Sequence, residues 1–506
     1  MSLVGIVELN PYELKTAIAE IDNTYGYTLL DQTVDFVEIT SDLTTDGLIK
    51  QNKTMFIIEC LNSFKAVCKA KGVERIYAYA TAEFKEAKNQ RSFVEEIYNL
   101  SSIRFEFLTA DSELTYTYSA SLTTLDIPKG LFIYINNTNI NLVYYNRRTI
   151  LKKAILSIGA TTLANEFAEE NYKPQELAKK FCEKFKEILE AETWLNEIDP
   201  ETQFVGAGQS FINLARLTKR LTKYPFHKEH NFRIDKETFN KTYEFIQTLD
   251  IDKTKKLKGI SSDRADALLA GLSIINVIMN MREDSTIAIS NKSPLNGIAL
   301  TLEQQSSYEK PLTDILGECL YKNNGKHNNY NKNADNVVAL SLNIFKLLKI
   351  LHRMPKTYIK VMRIAAALYD SGKRINYDNY LKYSFDIIRD SEINGATHRE
   401  QILAAFVVAS INPDNFSMTE WVKYNSLFEE EDLENVRKLA VMVKLASLLD
   451  RFERKKVLDL TCDILGDSVI FKTVCEQGDN CDLEIKEAIK ARSDFRRVYN
   501  KHLDVF

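Results

Sequence analysis

Two stretches decide how this chain is read: ERIYAYATAEFKEAKN (74–89), continued by IRFEFLTADSELTYTY (103–118), and KKLKGISSDRADALLAGLSIIN (255–276). In the first, RIYAYAT (75–81) has the β-branched and aromatic content of a strand, and IRFEFL (103–108) repeats it after a helical stretch over 83–99. Working upstream, helical spacing covers about 43–71. Before that, VGIVEL (4–9) and KTAIAEI (15–21) flank a turn at Asn10-Pro11, which predicts two strands joined tightly. Strands alternating with helices predict an α/β domain.

The pattern restarts near residue 130. GLFIYINNTNINLVYYN (130–146) reads as strand, turn and strand, and TQFVGAGQSFINLARL (202–217) as strand, glycine turn and helix. A second copy of the opening motif predicts an internal duplication. Beyond about 305 the signal is helical, over 335–352, 356–370, 379–391, 397–411, 418–428 and 434–452. The Asn- and Lys-rich run YKNNGKHNNYNK (321–332) marks a solvated boundary, and VLDLTC and SVIFKTV within 455–506 predict a small α/β cap.

Composition narrows the function classes. A hydrophobic content of 45%, a net charge of −4 and a pI near 6.0 describe a globular chain with no global attraction to nucleic acid or anionic membrane. A polyanionic ligand would need a local basic groove, and the lysines of 178–187 and 253–258 read first as solvated helix faces. The seven cysteines are scattered without a CxxC pair, which favours free thiols and a cytoplasmic protein, with Cys475 and Cys481 close enough to pair. The opening residues lack the charged-then-apolar pattern of a signal peptide and no apolar run reaches about 18 residues, so neither a leader nor a membrane span is expected. His227 and His230 have the spacing of a metal pair but lack further ligands nearby in the sequence.

Thr81-Ala82-Glu83-Phe84-Lys85-Glu86-Ala87-Lys88-Asn89, Thr109-Ala110-Asp111-Ser112-Glu113-Leu114-Thr115-Tyr116, Leu156-Ser157-Ile158-Gly159-Ala160 and Asp263-Arg264-Ala265-Asp266 with Gly271 together resemble the exopolyphosphatase/guanosine pentaphosphate phosphohydrolase (Ppx/GppA) family. The resemblance implies duplicated actin-like (ribonuclease H-like) ATPase lobes, then an all-α HD-like domain and a small α/β tail. The boundaries expected are 1–125 for lobe I, 126–305 for lobe II, 306–450 for the helical domain and 451–506 for the tail. It also implies phosphoanhydride hydrolysis with Mg²⁺, a homodimer, and polyphosphate or guanosine tetra/pentaphosphate as ligand.

By the same resemblance Glu113 matches the base that would deprotonate the attacking water. Lys85 stands in the slot of a phosphate-contacting arginine, keeping charge but losing the bidentate fork. The phosphate loops depart from the family pattern. Where a D-x-G-S-x-S loop is expected the chain has Glu8-Leu9-Asn10-Pro11-Tyr12-Glu13. Glu8 is the candidate metal-holding acid through water and Asn10 stands for the loop glycine. Pro11 removes an amide donor, and Glu13 brings negative charge. Where D-x-G-G-G-S is expected, the chain has Tyr134-Ile135-Asn136-Asn137-Thr138-Asn139, whose Asn136, Asn137, Thr138 and Asn139 are candidate phosphate donors. Gly206 and Gly208 retain most of a third glycine turn, and Arg264 with Asp266 would form a buried pair.

In the helical region the family's H-D-I-G becomes Tyr369-Asp370-Ser371-Gly372 and its H-x-x-H-S becomes Tyr380-Leu381-Lys382-Tyr383-Ser384, so a metal nest is not expected there. His398 reads as a helix-start or packing residue.

Three readings follow. Altered loops favour weak or lost hydrolysis with a ligand-binding or regulatory role. A rebuilt pocket would instead support Mg²⁺-dependent phosphate release, and a purely structural partner protein is the third.

Overall fold

Ser2–Leu9 (β1) is buried over its last six residues, which is why it reads as a continuous apolar run. It lies in the middle of a five-stranded sheet ordered β3-β2-β1-β4-β5, with β2 Glu13–Asp22, β3 Gly26–Phe36, β4 Arg75–Ala80 and β5 Phe105–Phe107. β1 pairs antiparallel with β2 and parallel with β4. A second sheet repeats this plan as β10-β11-β9-β6-β7-β8. Its members are β6 Lys129–Ile135, β7 Ile140–Asn146, β8 Thr149–Leu156, β9 Gln203–Ala207, β10 Arg233–Asp235 and β11 Thr286–Ile289. β6-β7-β8 is antiparallel and β6-β9 parallel, as in the first sheet. This computed structural model describes residues 2–22, 26–39, 42–43, 46–147, 149–170, 172–258, 265–303, 314–327, 334–475 and 480–506.

Several elements differ from the sequence reading. The helix expected from about 43 runs over Gln51–Lys71 and stops at Gly72, whose φ of 72° is left-handed. The helix expected over 83–99 divides into a 3₁₀ turn, Ala82–Glu86, and Gln90–Ser101. Between them Asn89 spends its side-chain amide on both backbone groups of Ile49. The edge strands β3 and β8 have no counterpart in the sequence reading. Each mixes polar and apolar residues without clean alternation, because only one edge and part of one face are covered. Arg264 falls outside the described residues, so the expected Arg264–Asp266 pair does too.

Two crossing helices join the lobes. Ala110–Leu122 follows β5 yet packs through Leu114, Tyr118 and Leu122 on the second sheet, against Phe132, Val143 and Val205. Pro294–Glu303 lies in the segment assigned by sequence to lobe II, yet Leu295, Ile298 and Ala299 complete the core of the first sheet with Val4, Ile6, Ala17 and Ala19. The two helices touch at Gly297, where a Cβ would meet the Tyr116 carbonyl oxygen at 2.2 Å.

The chain divides into two compact units, Met1–Thr313 and Asp314–Phe506. The second unit is helical through Ala334–Leu347, Tyr358–Leu368, Tyr380–Asp390, His398–Ala409 and Asp432–Leu449, and then forms a sheet ordered β12-β13-β14. These strands are Val457–Leu465, Ser468–Cys475 and His502–Val505. One buried acid in the second unit, Asp432, is fully paired. Asp432 accepts from Tyr358, from Arg399 at 2.7 Å and from the Glu429 amide at 2.7 Å. Cys475 and Cys481 form a disulfide, so the reading of every cysteine as a free thiol is corrected. Among the described residues no helix is long and apolar enough to cross a membrane.

Candidate functional site

The chemistry-bearing residues gather where β1, β4 and β6 end, in the crevice between the two sheets, the place where open α/β sheets bind ligands. Glu113 sits in the first turn of the Ala110–Leu122 helix, whose start is fixed by a capping box between Thr109 and Ser112. Its side chain is buried, with 3% exposure. Tyr134 Oη, at the end of β6, donates to Glu113 Oε1 at 2.9 Å, and Asn136 Nδ2 donates to the same oxygen at 2.9 Å. The Ala82 amide reaches Oε2 at 3.4 Å. Burial pushes the Glu113 carboxyl up to about 8, the nearby Glu83 and Glu8 carboxylates add to this, and the bonds from Tyr134 and Ala82 oppose it.

The first loop closes on itself. Asn10 Oδ1 accepts from the amides of both Tyr12 and Glu13, each at 3.0 Å, while the Asn10 amide donates to the Glu13 carbonyl at 3.0 Å. Pro11 has no amide hydrogen, so every backbone donor of residues 10–13 is already spent. The Tyr12 side chain is buried, and its Oη lies 3.0 Å from Thr161 Oγ1 across the crevice. Glu13, expected to repel phosphate, pairs with Lys15 at 3.0 Å.

Glu8 is 2% exposed and braces the crossing helix. Its Oε2 accepts from Ser293 Oγ at 2.9 Å and from the Leu295 amide at 2.7 Å, and its Oε1 meets Lys15 at 3.4 Å. A carboxylate so occupied, with an ammonium beside it, does not fit a magnesium ion. Among the described residues no three His, Cys, Asp or Glu side chains are grouped to hold a metal, the His227–His230 segment included.

The second loop is spent in part on the helix that follows. The Asn136 carbonyl accepts from the Ala160 amide, and the Asn137 carbonyl from the amides of Thr161 and Thr162, so the Ala160–Glu166 helix start is occupied by protein. Asn139 Oδ1 accepts from Asn141 at 2.7 Å and Asn136 at 3.4 Å. Thr138 is exposed at the tip, and Lys85 is exposed in the 3₁₀ turn after β4. At the third turn, Gly206 lies against Phe211, where a Cβ would come within 2.4 Å. Gly208 has a φ of 98°, and its helix, Gln209–Leu221, has no side-chain cap. The structure thus brings Glu113, Asn136, Asn139 and the Ala82 end of the Lys85 turn together. It leaves the Lys85 and Thr138 side chains out in solvent. Tyr12, Glu83 and Tyr134 escaped the sequence reading: Tyr12 stands in a variable slot, Glu83 in an alanine slot and Tyr134 in the slot of a lost acid.

In the second unit, the segments resembling histidine motifs enclose an internal cation. Lys373 Nζ lies 3.0 Å from the buried Asp370 Oδ2, and 5.8 and 5.6 Å from the ring centres of Tyr369 and Tyr380. His398 is buried at the start of its helix, behind the Thr397–Glu400 capping box.

A duplicated sheet plan with two crossing helices and strand ends converging on a crevice defines the actin-like class of phosphate-handling proteins. The model of the Ppx/GppA phosphatase family matches residues 17–305, and the model of Ppx/GppA phosphatase domain III matches 322–488. The chain belongs to the Ppx/GppA phosphatase family. Among solved structures it is similar to the Aquifex aeolicus family member, at 20% identity and a TM-score of 0.52 over 60% of this chain and 99% of that one. It is also similar to an exopolyphosphatase from Cytophaga hutchinsonii, at 18% identity and a TM-score of 0.54 over 60% and 99%. No curated protein matches the chain.

Proposed function

We propose that this chain is a Ppx/GppA-family protein that has lost efficient hydrolysis and serves as a binding or regulatory module for polyphosphate or guanosine tetra/pentaphosphate. The observation that carries the reading is Tyr12, whose buried side chain ties the first loop to Thr161, the residue at the helix start that in turn reaches Asn137 of the second loop. Glu113 supports it. Its buried carboxylate already accepts from Tyr134, Asn136 and the Ala82 amide, so its oxygens are engaged by protein where a base would turn them to an attacking water. Loss of one oxyanion donor alone costs about 10²–10³ in rate, and here a whole loop has turned its amides inward.

Anion binding would rest on the exposed Lys85, on Asn137 and Thr138 of the second loop, and on the uncapped helix start behind Gly206 and Gly208. Glu8 acts as a strut, and magnesium enters only with a polyphosphate ligand. The second unit is an HD-like domain in which Lys373 replaces a metal, and the chain works as a cytoplasmic homodimer.

The test combines two readouts on purified protein incubated with long-chain polyphosphate and Mg²⁺ at neutral pH. The expected result is a rise in melting temperature without orthophosphate release. Steady release that disappears in Glu113→Gln would overturn the proposal and favour the active enzyme. No response in either readout would favour a purely structural role.

A further inference from the structure

The two edge strands β3 and β8 occupy equivalent places in the duplicated sheets, each the third strand of an antiparallel run. Each pairs on one side only among the described strands, with β2 and β7, so each presents an outward ladder of backbone donors and acceptors. Their side chains differ in sign. β3, GYTLLDQTVDF, carries Asp31 and Asp35 and no cation, whereas β8, TILKKAIL, carries Lys152 and Lys153 and no anion. Both expose large apolar groups, Leu30, Val34 and Phe36 on β3 and Ile150, Leu151 and Ile155 on β8.

The strands also share a bulge. Ile18 and Ala19 pair with Asp31 and Leu29, which leaves Leu30 extra, and Tyr144 and Tyr145 pair with Lys152 and Ile150, which leaves Leu151 extra. Beyond each bulge runs a regular stretch, 31–36 in β3 and 152–156 in β8. Beside β3 lies a groove of about 430 Å³ against the Gln51–Lys71 helix, lined among others by Asp31, Asp35, Phe56, Glu59 and Val67. It is both acidic and apolar, as a partner bearing lysine and isoleucine requires.

We propose that β8 of one copy adds to β3 of a second copy, continuing one sheet across two molecules. Like charges oppose β3 on β3 and β8 on β8, so only the mixed pairing is favoured. Such a contact is heterologous: each molecule keeps one free edge of each kind, and copies join head to tail into a ring or an open chain. The ion pairs these residues already make, Asp31 with Lys71 at 2.7 Å and Lys153 with Asp111, are solvent-exposed and exchange readily. The paired stretch is short, so the association is weak and depends on concentration.

Sedimentation velocity of the full chain over a wide concentration range tests this. Wild type is expected to grow in mass with concentration, and the association to weaken roughly tenfold between about 0.1 M and 1 M salt, as the screening length falls from about 10 to about 3 Å. Asp31→Lys/Asp35→Lys and Lys152→Glu/Lys153→Glu are each expected to abolish the growth, and an equimolar mixture of the two to restore it. Melting curves establish that both variants are folded, and the salt titration of wild type needs no variant. A fixed mass at every concentration, growth unchanged in both variants, or a mixture that stays as inert as its components would overturn the proposal.

Discussion

A carboxylate that accepts three hydrogen bonds would ordinarily be held ionised, so the upward displacement of Glu113 to about 8 comes first from its burial and then from the neighbouring Glu83 and Glu8 charges. The sign of the linkage follows. Its ordinary value is 4.5, so the stability it contributes is fully present below about 4.5 and is lost as pH rises through about 8. Melting temperatures of wild type should therefore fall between pH 5 and pH 9 by several degrees more than those of Glu113→Gln, which cannot ionise. Equal slopes for the two proteins would refute the shifted carboxyl. Tyr12→Phe keeps the ring but loses the bond to Thr161, and should cost about 1 kcal/mol in denaturant unfolding. Tyr12→Gly with Asn10→Gly should reopen the first loop and enlarge the melting shift produced by polyphosphate. At this scale the sequence shows which positions had changed but not what the replacements do. The altered slots at Asn10 and Asn136 are visible from the motif, whereas the closure by Tyr12 depends on Thr161, far away in the chain, and the pressure on Glu113 depends on a glutamate in an alanine slot.

Elements were legible in proportion to how fully they are buried. β1 and β6 announce themselves because packing demands apolar residues along their length, β4 shows instead through its aromatic and β-branched content, and the internal repeat of strand, turn and strand follows from β1 and β6. β3 and β8 are covered on one side only, so little in their composition is constrained. The crossing helix Pro294–Glu303 packs on the first sheet although it follows the strands of the second, a destination that an apolar face alone does not reveal. Two glycines separate backbone conformation from packing. Gly72→Ala places a side chain at left-handed φ in open space and should cost about 1 kcal/mol. Gly297→Ala drives a methyl group into the Tyr116 carbonyl, which cannot step aside without moving a helix, and should cost about 3 kcal/mol or more by chemical denaturation. In the second unit, Asp432→Ala leaves the Arg399 guanidinium without its buried partner and should cost about 3 kcal/mol.

At the level of the whole molecule, the two units have separate cores and should melt as separate cooperative blocks. Scanning calorimetry is expected to resolve two transitions, only one of which moves when Asp432 is replaced. The first unit is interleaved. Its chain leaves the first sheet after residue 107, builds the second sheet, and comes back at residue 294 to finish the core it began. The outgoing and returning passages lie side by side, joined by a buried contact of 2.8 Å between the hydroxyls of Ser121 and Ser290. Two covalent passages bound together tie the two sheets along a single line. The core of the first sheet therefore cannot be complete until the distant segment that begins at residue 294 has been made.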